Sequence, residues 1–277
     1  MMAEAWALAF PPQFWVLLIV AAACCSIGFR KFVWFLSVGY GFAIAGLGAT
    51  LLFMFLPGFA PSGLVVYLEA LLLLVYGLRL GGYLLKRERR STAYRKTLSE
   101  SGSDKRFPLG ASLGVWVAVT ILFCLQVSPV LFRLANGTGA QATSYVGLAV
   151  SLLGFALEAL ADHQKSAAKR ERPGRFCDVG LFGVVRCPSY LGEVVLWTGV
   201  FVSGIGAYEG LFQWLFACLG YVLILFVMVS STRRLEGLQA KRYGNDPEFR
   251  AYAARTPVLL PFVPPRVPTK AGNGRGI

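Results

Sequence analysis

Seven long apolar runs separated by short polar segments dominate the chain, at roughly 13–29, 32–56, 63–85, 112–134, 143–161, 189–206 and 211–231. Runs of this kind cross ~30 Å of hydrocarbon as helices, and the fifth and sixth are the shortest. The pattern predicts an all-α integral membrane protein of seven transmembrane helices, one membrane domain over 1–265, with a disordered tail over 266–277. Between the seventh run and that tail, the sequence around Tyr243-Gly244, Phe249 and Tyr252, closed by Pro257 and Pro261, reads as a short amphipathic helix on the membrane surface.

Composition agrees: 56% hydrophobic and 15% charged residues over 277 positions, with a mean hydropathy of +0.60, exceed what a soluble core needs. The net charge of +13 is distributed unevenly. Arg30-Lys31, the basic residues of 86–106 and of 165–186, and the tail from Arg233 fall in alternate connections, whereas 57–62, 135–142 and 207–210 contain no Lys or Arg. Basic residues collect on the cytoplasmic side, so the N-terminus is expected outside and the C-terminus inside. The charge is then topology and no nucleic-acid partner is expected. A cleavable signal peptide is not expected either. The six cysteines fall in spans or on the inner side without CxxC spacing, so neither disulfides nor a metal is expected. The sequon Asn136-Gly137-Thr138 faces outward.

Polar residues that interrupt this pattern are the candidates for chemistry. In the third run Glu69, Tyr76 and Tyr83 recur every seven residues with Arg79 close to the same face. Either Arg79 snorkels to the surface and the tyrosines form an interfacial belt, or this stripe lines a polar cavity. Glu158 and Asp162 share one helix face at the inner end of the fifth run. They suit ribose hydroxyls or an amide, or else pair along the helix with Lys165 and Lys169. His163, the one histidine, lies on another face. The turn at Pro173-Gly174 gathers Arg170, Arg172 and Arg175, whose guanidiniums match phosphate geometry. Pro188 then starts a helix on which Ser189, Glu193 and Trp197 share a face. A helix start offers N–H groups to an anion, and Glu193 either accepts from a ligand or complements the helix dipole.

The run Gly180-Leu181-Phe182 through Cys187-Pro188-Ser189-Tyr190-Leu191-Gly192-Glu193, preceded by Glu158 and Asp162 and followed by Glu236, Tyr243-Gly244, Phe249 and Tyr252, resembles the steroid 5α-reductase family. The resemblance covers the C-terminal half well, the third span moderately and the first two spans weakly. It implies an enzyme whose C-terminal half, 143–262, encloses NADPH, while spans one to four face a steroid or lipid enone entering from the bilayer. The matching cofactor positions are Arg79, Arg90, Glu158, Asp162, Lys169, Arg175, Ser189, Glu193, Arg234 and Glu236. Tyr76 matches the tyrosine beside the substrate ketone. Two departures stand out: Cys187 and Ser189 replace the family's usual His and Asn, and the Gln-Glu pair of the second span is missing, for which Glu69 is the substitute from the neighbouring helix.

Enone reduction asks for a donor at the carbonyl oxygen as negative charge develops there, and Tyr76 together with a protonated Glu69 meets that need. The expected function is thus NADPH-dependent reduction of a 3-oxo-Δ4-steroid or similar enone by a monomer in the membrane, with its cofactor site on the cytoplasmic side. The alternative is a methyltransferase of the isoprenylcysteine carboxyl type using S-adenosylmethionine, which shares the Pro-x-Tyr-x-x-Glu helix start. Arginine density around 169–175 favours the reductase. A transporter fits less well, because the polar groups gather at one mouth.

Overall fold

A computed structural model of the chain describes residues 10–56, 63–90 and 107–265. The expectations for the basic segment 91–106 and the tail 266–277 lie outside these residues. Helices and turns account for the regular structure, and no strand occurs among the described residues. Helix α1 (Pro12–Cys25) begins with proline at its first turn, where the missing N–H costs nothing, and runs into the 3₁₀ turn Ser26–Phe29. After a second 3₁₀ turn, Phe32–Leu36, follow α2 (Val38–Phe55), α3 (Leu64–Arg90), α4 (Leu109–Ala135) and α5 (Ala142–Glu171). The short α6 (Leu181–Val184), α7 (Pro188–Gly204), α8 (Gly210–Tyr243) and α9 (Pro247–Arg255) complete the order.

Among the described residues six segments, Pro12–Phe29, α2, α3, α4, α5 and α8, are long and apolar enough to cross a membrane, the property of a multi-pass membrane protein. The sixth predicted span, 189–206, corresponds to α7, which has 17 residues and a length of ~26 Å. The second predicted span starts later than its hydrophobicity suggests. Lys31 Nζ and Trp34 Nε1 both donate to Glu88 near the end of α3, holding 32–36 as a turn, and α2 begins only at Val38.

The chain divides into two compact units, the first comprising Met1–Ala149 with Thr198–Leu223 and the second Val150–Trp197 with Ile224–Ile277. In the first, α2 packs on α3 along a seam of small residues: a Cβ on Gly77 would lie 2.3 Å from Ala45 N, and one on Gly41 2.4 Å from Gly81 N. Such seams let helix backbones touch where hydrophobic burial alone offers little drive. Pro129 inside α4 cannot bond back to Leu125 O, and Ser128 Oγ donates there instead, at 2.8 Å. Near the end of α4, Arg133 is almost wholly buried and donates to Ser203 O (2.7 Å), Gly139 O (2.9 Å) and Ile205 O (2.9 Å). Ser203 lies in the last turn of α7 and Ile205 just beyond it, where a cation complements the helix dipole. Asn136, the sequon asparagine, donates to Ala207 O and Gln213 Oε1, so its amide is already engaged.

The second unit is closed by its tail. Phe176, Phe249 and Tyr252 form a buried aromatic cluster with Tyr243 against it. Pro247 occupies the first turn of α9, whose N-cap is the Asp246 carboxylate accepting from Glu248 N. Beyond α9, Pro257 O and Val258 O accept from Arg186 N and Cys187 N, and Tyr252 Oη donates to Phe182 O. The predicted tail helix is therefore present, docked by its aromatic face and by backbone hydrogen bonds.

Candidate functional site

The polar centre of the second unit grows from two helices in very close contact. A Cβ on Gly154 of α5 would lie 2.2 Å from Leu196 N and 2.6 Å from Gly192 O, both backbone atoms of α7. That contact aligns the C-terminal part of α5 with the start of α7. Glu158 and Asp162, one turn apart, are both buried on α5, as is Glu193, one turn into α7. Ser189, at the second position of α7, donates through Oγ to Asp162 Oδ1 at 3.1 Å. Two motifs singled out separately in the sequence, the Glu-x-x-x-Asp helix end and the Pro-Ser-Tyr-Leu-Gly-Glu helix start, thus meet. Glu158, Asp162 and Glu193 are thus carboxylates buried on adjoining helices, each costly to desolvate unless donors face it.

The cations of the predicted phosphate clamp are placed differently. Arg175 is ion-paired with Asp178 (3.0 Å) and with Glu248, and its guanidinium lies over the Phe176 ring. These two acceptors hold its proton more firmly than usual. Lys169 donates to Arg175 O and, at 3.1 Å, to Tyr243 Oη. Arg234 and His163 are exposed. Glu236 is the counter-ion of Arg186, a residue not selected from the sequence: Arg186 is 1% exposed and also donates to Ala253 O at 2.7 Å. The one signal for Arg186 was its place just before Cys187-Pro188, where an arginine in a basic connection looks ordinary. Burial, with the Glu236 carboxylate adding to it, pushes the Cys187 thiol up to about 12, so this cysteine is neutral and inert at ordinary pH.

The remaining predicted residues belong to the first unit. Tyr76 is fully buried, and its hydroxyl lies 3.2 Å from that of Tyr40 on α2, the rings meeting edge to face. Tyr40 in turn packs on Phe123 of α4, with ring centroids 5.1 Å apart. Glu69 is buried two turns along α3 from Tyr76. Arg79 is half-buried with its guanidinium over Tyr83, and Arg90 is exposed at the last residue of α3. Tyr40 was overlooked because a single tyrosine in an apolar run carries no periodic signal. Among the described residues no three metal-ligating side chains come together.

A protein-family model described as a protein of unknown function, DUF1295, matches residues 31–256. No curated protein and no solved structure matches the chain.

Proposed function

The chain belongs to the DUF1295 family, and we propose that it is a seven-span membrane reductase, N-terminus outside and tail cytoplasmic, that reduces the Δ4 double bond of 3-oxo-Δ4-steroids or similar lipid enones with NADPH. The observation that carries the reading is the meeting of Asp162 with Ser189 on helices that also bury Glu158 and Glu193, four of the ten positions that the resemblance to steroid 5α-reductases assigns to the cofactor. Carboxylates of this kind accept from ribose hydroxyls and from the carboxamide. The phosphates fall to Arg175 and Lys169. Arg175's partner Glu248 is 64% exposed, so exchanging it for a phosphate costs little. NADPH, when bound, supplies the hydride for the β-carbon of the enone. Tyr76 donates its hydroxyl proton in a hydrogen bond to the carbonyl oxygen as negative charge builds there, and Tyr40 orients that hydroxyl. The apolar walls keep water out of the transfer.

The methyltransferase reading has one observation in its favour. Glu158, Asp162 and Glu193 are buried acidic residues while Arg175 already has carboxylate partners, and S-adenosylmethionine carries an ammonium and a sulfonium but no phosphate. The test is NADPH oxidation by purified protein with a 3-oxo-Δ4-steroid, in wild type and in Tyr76→Phe. The reductase reading expects turnover that falls at least tenfold in Tyr76→Phe with NADPH affinity unchanged. Methyl transfer from S-adenosylmethionine to a lipid acceptor, without NADPH oxidation, decides for the rival.

A further inference from the structure

Gln126 lies in the interior of α4, is 3% exposed, and neither its Nε2 nor its Oε1 has a hydrogen-bond partner among the described residues. Exchanging the two ends of the amide leaves the deficit unchanged, because both ends lack partners. Buried side-chain amides are otherwise almost always bonded, and a bare one inside an apolar bundle marks a place where something polar belongs.

The surroundings make it a place for a ligand. The proline within α4 makes no call on the amide: Ser128 already bonds the carbonyl of Leu125 that Pro129 leaves without a donor. Against this turn lies α8, where a Cβ on Gly220 would sit 2.5 Å from Leu125 O. One turn earlier on α4, ~4.5 Å along the axis, is Phe123, which packs on Tyr40 of the Tyr40–Tyr76 hydroxyl pair. Polar groups on three helices of the first unit therefore lie within a few turns of one another among apolar side chains.

We propose that Gln126 is the recognition group of a binding site in the first unit for the hydroxyl of a neutral, apolar molecule taken from the bilayer. A hydroxyl both donates and accepts, and so completes Oε1 and Nε2 together, whereas a ketone or ether only accepts and leaves Oε1 bare. An ionised headgroup would bring an unpaired charge into hydrocarbon. The apolar body of the ligand matches Leu122, Phe123 and Val130, the buried apolar residues three and four places from Gln126 along α4. The site uses first-unit residues alone and stands whether or not NADPH binds.

The test uses the full chain in detergent, with dodecan-1-ol, 1-methoxydodecane and dodecane as probes and the thermal unfolding midpoint as the readout. Dodecan-1-ol is expected to raise the wild-type midpoint by several degrees, and the ether and the alkane are not. Gln126→Leu, which removes the bare amide at similar volume, is expected to raise the ligand-free midpoint and to abolish the response to the alcohol. Gln126→Met serves the same purpose if the leucine variant fails to fold. Equal shifts with all three probes, an alcohol response that survives in Gln126→Leu or Gln126→Met, or a lower ligand-free midpoint in both variants would each overturn the proposal, the last by showing that the amide is satisfied by a resident water only.

Discussion

Replacing Gly154 with alanine tests the contact on which the second unit's polar centre depends. The added methyl would meet Leu196 N at 2.2 Å, and Gly192 O and Leu196 Cα at 2.6 Å, all of them helix backbone that no rotamer change can move. Ordinary van der Waals separation is about 3.5–4.0 Å, so α5 and α7 must part locally by at least roughly 1.3 Å. Overpacking of this kind costs about 1–3 kcal/mol. For a chain of this size, a loss of 1 kcal/mol lowers the melting midpoint by about 2–4 °C. The same displacement carries Ser189 Oγ and Asp162 Oδ1 from 3.1 Å past the ~3.5 Å reach of a hydrogen bond. On the reductase reading, a misplacement near 1 Å costs on the order of a hundredfold in turnover. The assays are thermal unfolding in detergent and NADPH oxidation with an enone. Gly82→Ala is the control, because a Cβ on Gly82 of α3 meets nothing within 4 Å, and it is expected to be neutral or stabilising by up to about 1 kcal/mol. A Gly154→Ala protein as stable and as active as the control would refute the reasoning.

Arg186→Met leaves Glu236 half-buried without its counter-ion and is expected to cost about 3–5 kcal/mol in thermal unfolding, most of it recovered when Glu236→Leu is added. Glu248→Ala frees Arg175 from one carboxylate and is expected to tighten NADPH binding severalfold at low salt, whereas Arg175→Ala weakens it; fluorescence titration reads both. Cys187, with its thiol raised to about 12 by burial, is expected to resist iodoacetamide at pH 8 in the folded protein and to react in denaturant, as mass spectrometry would show. Because the folded chain holds this proton more tightly than the unfolded one, its contribution to stability is intact below about pH 9 and lost as pH rises towards 12.

The sequence predicted helices well where hydrophobicity was uniform and less well at their ends. The run 211–231 marks the apolar part of α8, but the helix continues on polar residues to Tyr243, as α3 does to Arg90 and α5 to Glu171. Hydropathy is blind to the reach of Lys31 and Trp34 to Glu88, which displaces the start of α2. Asp162 and Ser189 were legible because helical spacing and a proline helix start fix where such side chains point. Arg186, Tyr40 and Gln126 were not, since each acquires its meaning from what it meets, or fails to meet, on other helices. The pairing of Arg175 with Glu248 was equally hidden, seventy-three residues apart in the chain.

The central claim is that the second unit holds a dinucleotide, and equilibrium titration of the purified full-length protein with NADPH and, separately, with S-adenosylmethionine tests it directly. The account predicts saturable NADPH binding that weakens in Asp162→Ala and Arg175→Ala, with no binding of S-adenosylmethionine. Saturable binding of S-adenosylmethionine with none of NADPH would contradict it.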